Sequence, residues 1–285
     1  MAIAQALQQG VETTVSVYAT SKSAALAATL TPIALTGVTI YLFIIGWALA
    51  RGEVHNSLNT LVWKVFKIAL VSSIALGALA YQQYAIDFFS GIEGIFTNAM
   101  GGSPNIGALI DTSIVPMETI TGQLYQKANA SFFPDFRLLT AAVLCTFGQV
   151  LITIAALIPL LVAKVTIALL LAVGPAFVLL ALWPATQRFT EAWLTATLAA
   201  TMTVVVIAVV VAFLPAYIQY YANQVLNNIN NTNIMQDVIS LVMVIVVLAW
   251  IAWKASELAA SLVGGSSLGN PAQAISQVIM NRLSF

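Results

Sequence analysis

The chain has 285 residues, of which 60% are hydrophobic and only 7% charged, against the roughly 25% of a soluble globular domain. Ten basic residues balance ten acidic ones, so nothing in the charge points to a nucleic-acid surface of the usual basic kind. The single cysteine rules out an intrachain disulfide. The single histidine, His55, has no HExxH, CxxC or P-loop pattern near it, so no cofactor, metal or catalytic residue is expected.

Several charge-free apolar runs are each close to the ~20 residues that cross a bilayer. They make this an all-α, polytopic transmembrane protein. Residues 1–23 form a mildly amphipathic segment without the positive n-region of a signal peptide. Residues 24–84 hold the first helix pair, with spans Ala24–Ala50 and Ile68–Tyr84 around a loop, 51–67, that carries Arg51, Lys64 and Lys67.

Residues 85–137 are the one sizeable polar region, with Asp87, Glu93, Asp111, Glu118 and Asp135 against Lys127 and Arg137. In its GGSPN turn, Ser103 is the expected N-cap and Pro104 the first helical residue. Ile106, Ile110, Ile114 and Met117 then recur at helical spacing, predicting an amphipathic helix with a kink at Pro116. Its apolar face is the expected partner contact.

Residues 138–263 form the C-terminal bundle, with spans Leu138–Ala163, Ala192–Ile218 and Val238–Val263. Residues 264–285 are a short tail, in which Asn270-Pro271 starts a helix carrying Ala274, Ile275, Val278 and Ile279 on one face. Aromatic residues near the span ends, among them Trp47, Trp63, Tyr81, Tyr84, Trp183 and Trp193, read as an interfacial belt.

Within the bundle, Gly174-Pro175 divides the apolar run Val165–Trp183. Each half is about half a bilayer long at 1.5 Å per residue, and Pro175 removes a backbone donor and crowds the preceding turn. The prediction is five crossing helices plus a re-entrant helical hairpin at 165–187, broken at Gly174 and Pro175 and closed at Pro184. With the N-terminus periplasmic, this places Arg51, Lys64, Lys67, Lys164, Arg188, Lys254 and Arg282 in the cytoplasm and leaves Lys22, Lys127 and Arg137 outside. Seven against three satisfies the positive-inside rule. A crossing segment would give four against six.

The five predicted crossing spans carry no ionisable side chain until Lys254 and Glu257, three apart and placed to pair. Arg188 and Glu191 repeat that spacing. Gln149 is the main polar side chain deep in the third span.

The string LLAVGPAFVLLALWPATQRFTEAWL, Leu170 to Leu194, resembles the signature of the polytopic inner-membrane subunit of bacterial type IV secretion systems, the TrbL/VirB-six family. The matching features are Gly174-Pro175 between apolar helices, Pro184 in a turn, Arg188-Phe189, and Trp193 opening the next span. The resemblance implies a non-enzymatic subunit of the bacterial inner membrane, multi-pass, with a periplasmic N-terminus and a cytoplasmic C-terminus. It implies a ring-like homo-oligomer, a pentamer, at the base of a conjugative pilus or stalk. It also implies contacts with a minor-pilin-like tip subunit, the secretion ATPase and other inner-membrane subunits, and transient contact with DNA or protein substrate. Arg188, Phe189, Glu191 and Trp193 are then assembly or transfer candidates, and 85–137 the substrate-contact loop. The alternative is a secondary transporter or permease with its substrate site at the Gly174-Pro175 break.

Overall fold

The computed structural model describes residues 3–51, 58–101, 105–130, 135–228 and 234–263, and among these every regular element is helical. α1 is Ile3–Ala50, α2 Leu58–Leu76 and α3 the single turn Ala78–Tyr81. A π-helical turn, Gln82–Ile86, leads into α4, Asp87–Gly101. α5 is Ile106–Ala128, α6 Phe136–Leu180, α7 Gln187–Asn227 and α8 Ile234–Leu262.

Four of these helices, α1, α6, α7 and α8, are long and apolar enough to cross a membrane. A bent pair, Val62–Leu76 with Leu79–Phe96, whose halves meet at 93°, makes a fifth when it is counted as one span, and is otherwise a re-entrant loop. The five predicted spans thus each have a helical counterpart. The bend sits at Gly77, where a Cβ would stand 2.6 Å from the Ser73 carbonyl oxygen. Only glycine lets the chain fold back that closely.

The largest departure from expectation is α6. It runs unbroken for 45 residues through Gly174-Pro175 and joins the third predicted span to both halves of the supposed hairpin. The chain reverses at 181–186, the turn that holds Trp183-Pro184, and not at Gly174-Pro175. At 1.5 Å per residue α6 is about 67 Å long, more than twice the ~30 Å hydrocarbon core.

The helix ends follow local chemistry. α5 is capped by Asn105, whose side chain accepts from the Ala108 N–H at 3.2 Å. The cap therefore comes two residues later than Ser103, which lies with Pro104 outside the described residues. α5 continues through Pro116 without a break. Asp135 caps α6 by accepting from the Arg137 N–H at 2.9 Å. The tail helix expected after Asn270 lies outside the described residues.

The contacts divide the chain into two units. The first holds 1–12, 93–164 and 199–285. In α8 the buried residues Ile234, Val238, Leu241, Ile245, Ala249 and Ala252 recur at threes and fours, the repeat of knobs-into-holes packing. Gly148 marks a close approach of α6 to α5 and α8. A Cβ there would meet Ile245 Cδ1 at 3.2 Å, Met117 Cε at 3.4 Å and Val242 Cγ2 at 3.6 Å.

The second unit holds 13–92 and 165–198 and has two apolar clusters. One gathers Ala19, Phe89, Ala168, Leu171 and Trp193. The other gathers Ala34, Ile68, Ala75, Leu179 and Leu182. In the second cluster Trp183 lies against Gly37, where a Cβ would be 3.1 Å from the indole.

Candidate functional site

Pro175 has no N–H, so the carbonyl four residues back, Leu171, loses its helical donor. In an apolar setting an unpaired carbonyl costs several kcal/mol in order of magnitude. The Tyr81 hydroxyl supplies the missing bond, donating to the Leu171 oxygen at 2.8 Å in a buried contact. The Trp193 indole Nε1–H donates to the adjacent Leu170 carbonyl, also at 2.8 Å. These two donors help α6 continue through Pro175, the second of its two prolines after Pro159, and the hairpin expected at that point does not form.

Gly174 makes the arrangement possible. A Cβ there would overlap the Tyr81 hydroxyl and stand 2.7 Å from Tyr81 Cζ and 2.9 Å from Trp193 Cζ2. Gly-Pro is therefore a cradle for two polar aromatic tips and not a helix break. Trp193 is 6% exposed and Tyr81 1%, so neither belongs to the interfacial belt. The Trp193 ring stacks on Phe177 (6.3 Å between centroids, 5°) and meets Phe89 edge-on (6.5 Å, 83°).

The reversal at 181–186 is satisfied by the same logic. Leu180 would accept from residue 184, which is proline, and Thr186 Oγ1 donates to it at 2.7 Å instead. The Ala181 N–H turns to Val178, leaving Phe177 open, and Thr190 Oγ1 donates there at 2.6 Å. Pro184 lies in this turn, as expected. Arg188, Phe189 and Glu191 are exposed beside it. Arg188 lies over the Phe189 ring at 4.9 Å and, among the described residues, makes no ion pair with Glu191. The Lys254–Glu257 pair does form, at 2.7 Å.

The first unit holds a polar cluster that sequence reasoning missed. Lys164 stands well inside α6, its ammonium paired with Glu12 at 2.9 Å and with Glu93. Its side chain is 12% exposed and that of Glu93 14%. Glu12 accepts from Gln8 Nε2 at 2.6 Å, and Gln8 Oε1 accepts from the Gly107 N–H. A Cβ on Gly107 would lie 2.8 Å from the Ala4 oxygen, so glycine is what brings α5 against α1. Asp111 then caps α1, accepting from the Ala4 N–H at 3.1 Å and the Gln5 N–H at 2.8 Å. The topology count had set Lys164 on the face opposite Glu12 and Glu93, and the structure brings all three together.

Ile106, Ile110, Ile114 and Met117 were expected to meet a partner. They are buried within the chain at 0%, 1%, 9% and 0% exposure. The opposite face of α5 is the open one. Val115 and Glu118 help to line a groove of about 510 Å³, together with Ile3, Asp111, Gln149 and Ile154. Gln149 Nε2 donates to Glu118 across it at 3.1 Å. Among the described residues no three His, Cys, Asp or Glu side chains converge on a metal-sized site. With α6 continuous, the substrate site that the transporter reading placed at a Gly174-Pro175 helix break has no break to occupy.

The family model of the TrbL/VirB6 plasmid conjugal transfer protein matches residues 38–255, and so covers the cradle, the turn, the C-terminal end of α1, all of α6 and α7 and most of α8. Among curated proteins, the chain is similar to the type IV secretion system protein VirB6 of Bartonella henselae, with 28% identity over 196 residues, 68% of this chain and 57% of that protein. It is similar to the VirB6 protein of Brucella suis biovar 1, 27% identical over 180 residues, 59% of this chain and 52% of that one. The type IV secretion system protein PtlD of Bordetella pertussis is 27% identical over 180 residues, 59% of this chain and 37% of PtlD. The chain thus spans about half the length of the VirB6 relatives it matches.

Proposed function

The chain belongs to the TrbL/VirB6 family of type IV secretion membrane components, and from that premise we propose that it is a non-enzymatic subunit of an inner-membrane translocation assembly. It acts as a homo-oligomeric base for a pilus or stalk and helps pass DNA or protein substrate. The observation that carries the reading is the extent of the family match, which takes in the Gly174-Pro175 cradle, the 181–186 turn and Trp193.

The proposed orientation keeps the N-terminus and 85–137 periplasmic and the C-terminus cytoplasmic. α1, the bent pair, α6, α7 and α8 make five crossings, and the 181–186 turn is then a cytoplasmic reversal between α6 and α7. Lys164 moves to the outer group with Lys22, Lys127 and Arg137, while Arg51, Lys64, Lys67, Arg188, Lys254 and Arg282 stay inside. Six against four still follows the positive-inside rule. Apolar residues along α1, such as Ile33, Leu35, Phe43 and Ile44, are exposed in the single chain and offer faces for lipid and for neighbouring copies.

The candidates divide by exposure. Trp193 acts through the α6–α7 packing. Arg188, Phe189 and Glu191 offer contacts to partner subunits, including the ATPase, and the open face of α5 at Val115 and Glu118 offers them to the stalk subunit. The test is oligomeric mass in mild detergent, together with complementation of a strain lacking the gene. A stable oligomer and restored transfer are expected. A monomer that moves solute alone in liposomes, or a null strain that transfers normally, overturns the reading.

A further inference from the structure

The geometry points to a clamped hinge in α6, seated at Gly174-Pro175 and held by Tyr81 and Trp193. A proline inside a helix leaves one carbonyl unbonded and is a common site of kinking. Here the unbonded carbonyl belongs to Leu171, and its donor is borrowed from a different element, the Tyr81 hydroxyl at 2.8 Å. The second donor, Trp193 Nε1 on Leu170 at 2.8 Å, comes from α7. The local integrity of α6 therefore depends on two side chains that α6 does not own.

Tyr81 occupies an unusual position in its own segment. It is the last residue of α3, four residues after the 93° bend at Gly77 and directly before the π-helical turn Gln82–Ile86. π-turns are uncommon and cluster at functional sites. Within this unit, a shift of the bent segment carries the hydroxyl away from Leu171 and frees the bend at Pro175. Phe89, three residues beyond the same π-turn, also packs on Trp193, so the segment reaches both members of the clamp. The bent segment is thus the control element and the proline the moving part.

The test uses the full-length protein in bilayers, with spin labels at Val165→Cys and Ala185→Cys, which flank the hinge within one unit. The parent should give one narrow distance distribution. Tyr81→Phe keeps the ring and removes only the hydroxyl, and it should broaden or shift the distribution, as should Trp193→Phe. Pro175→Ala restores the backbone N–H that Leu171 lacks, so adding it to Tyr81→Phe should return the narrow distribution. Unchanged distributions in both single variants would overturn the hinge. Broadening in Tyr81→Phe that Pro175→Ala fails to rescue would also overturn it, because the tyrosine would then be only a packing residue.

Discussion

Replacing Gly174 by alanine reverses the sign of an ordinary helix substitution. In an open helical site Gly→Ala stabilises by about 0.8–1 kcal/mol. At Gly174 the new Cβ overlaps the Tyr81 hydroxyl and comes within 2.7 Å of Tyr81 Cζ and 2.9 Å of Trp193 Cζ2. Overpacking of this kind costs about 1–3 kcal/mol. Displacing the hydroxyl leaves the buried Leu171 carbonyl without a donor, which costs about 1–3 kcal/mol more. After the gain in helix propensity, the net loss is about 1–5 kcal/mol. Gly122 supplies the control, being helical with nothing within 4 Å of its would-be Cβ. Unfolding in mixed dodecylmaltoside–SDS micelles, followed by circular dichroism, should place Gly122→Ala at or above the parent and Gly174→Ala clearly below it. A Gly174→Ala protein as stable as Gly122→Ala would refute the cradle.

Three further outcomes follow from the first unit. Lys164→Met removes the cation between Glu12 and Glu93. The loss should approach the ~3–5 kcal/mol of breaking a buried pair, reduced because the Glu12 side chain is 36% exposed; adding Glu93→Gln should recover part of it in the same unfolding assay, and a neutral Lys164→Met would show that the triad does not form. Asp111→Ala uncaps α1 at a cost of about 0.5–2 kcal/mol, and hydrogen exchange at the Ala4 and Gln5 amides should rise; unchanged protection would mean that those amides have another acceptor. Gly107→Ala should push α1 away from α5, so a disulfide engineered between Ile3→Cys and Thr112→Cys, both on the groove wall, should form in the parent and fail in the variant; equal crosslinking would remove the close approach.

Much of the site was foreshadowed as an obligation and not as a geometry. Pro175 guarantees an orphan carbonyl at Leu171, yet nothing in a linear string says that Tyr81, 90 residues earlier, will serve it. The expectation of a hairpin followed from the charge count and from the short halves on either side of Pro175, and neither registers a donor that arrives from a distant segment. Lys164 was legible in a different way. No glycine or proline stands between Leu160 and Val173, so the helix had no local reason to stop at the lysine. Treating a charge as the end of a span hid a buried ion pair inside one. On α5 the apolar periodicity was sound, and it marked the face that folds inward. The same pattern serves a partner or the chain's own core, and periodicity alone does not separate them.

The sequence alone determined the class. Charge-free runs of bilayer length admit only helices that satisfy their own backbone, and each of those runs has a helical counterpart. It also determined the family, through the string from Gly174 to Trp193. The tertiary structure decided where the chain turns, which glycines are contact points and which charges meet. Those outcomes depend on donors and cations arriving from distant segments: Tyr81 at Leu171, Trp193 at Leu170, and Glu12 and Glu93 at Lys164. A backbone hydrogen bond within a helix is written in local sequence. Its replacement across helices is written only in the packing.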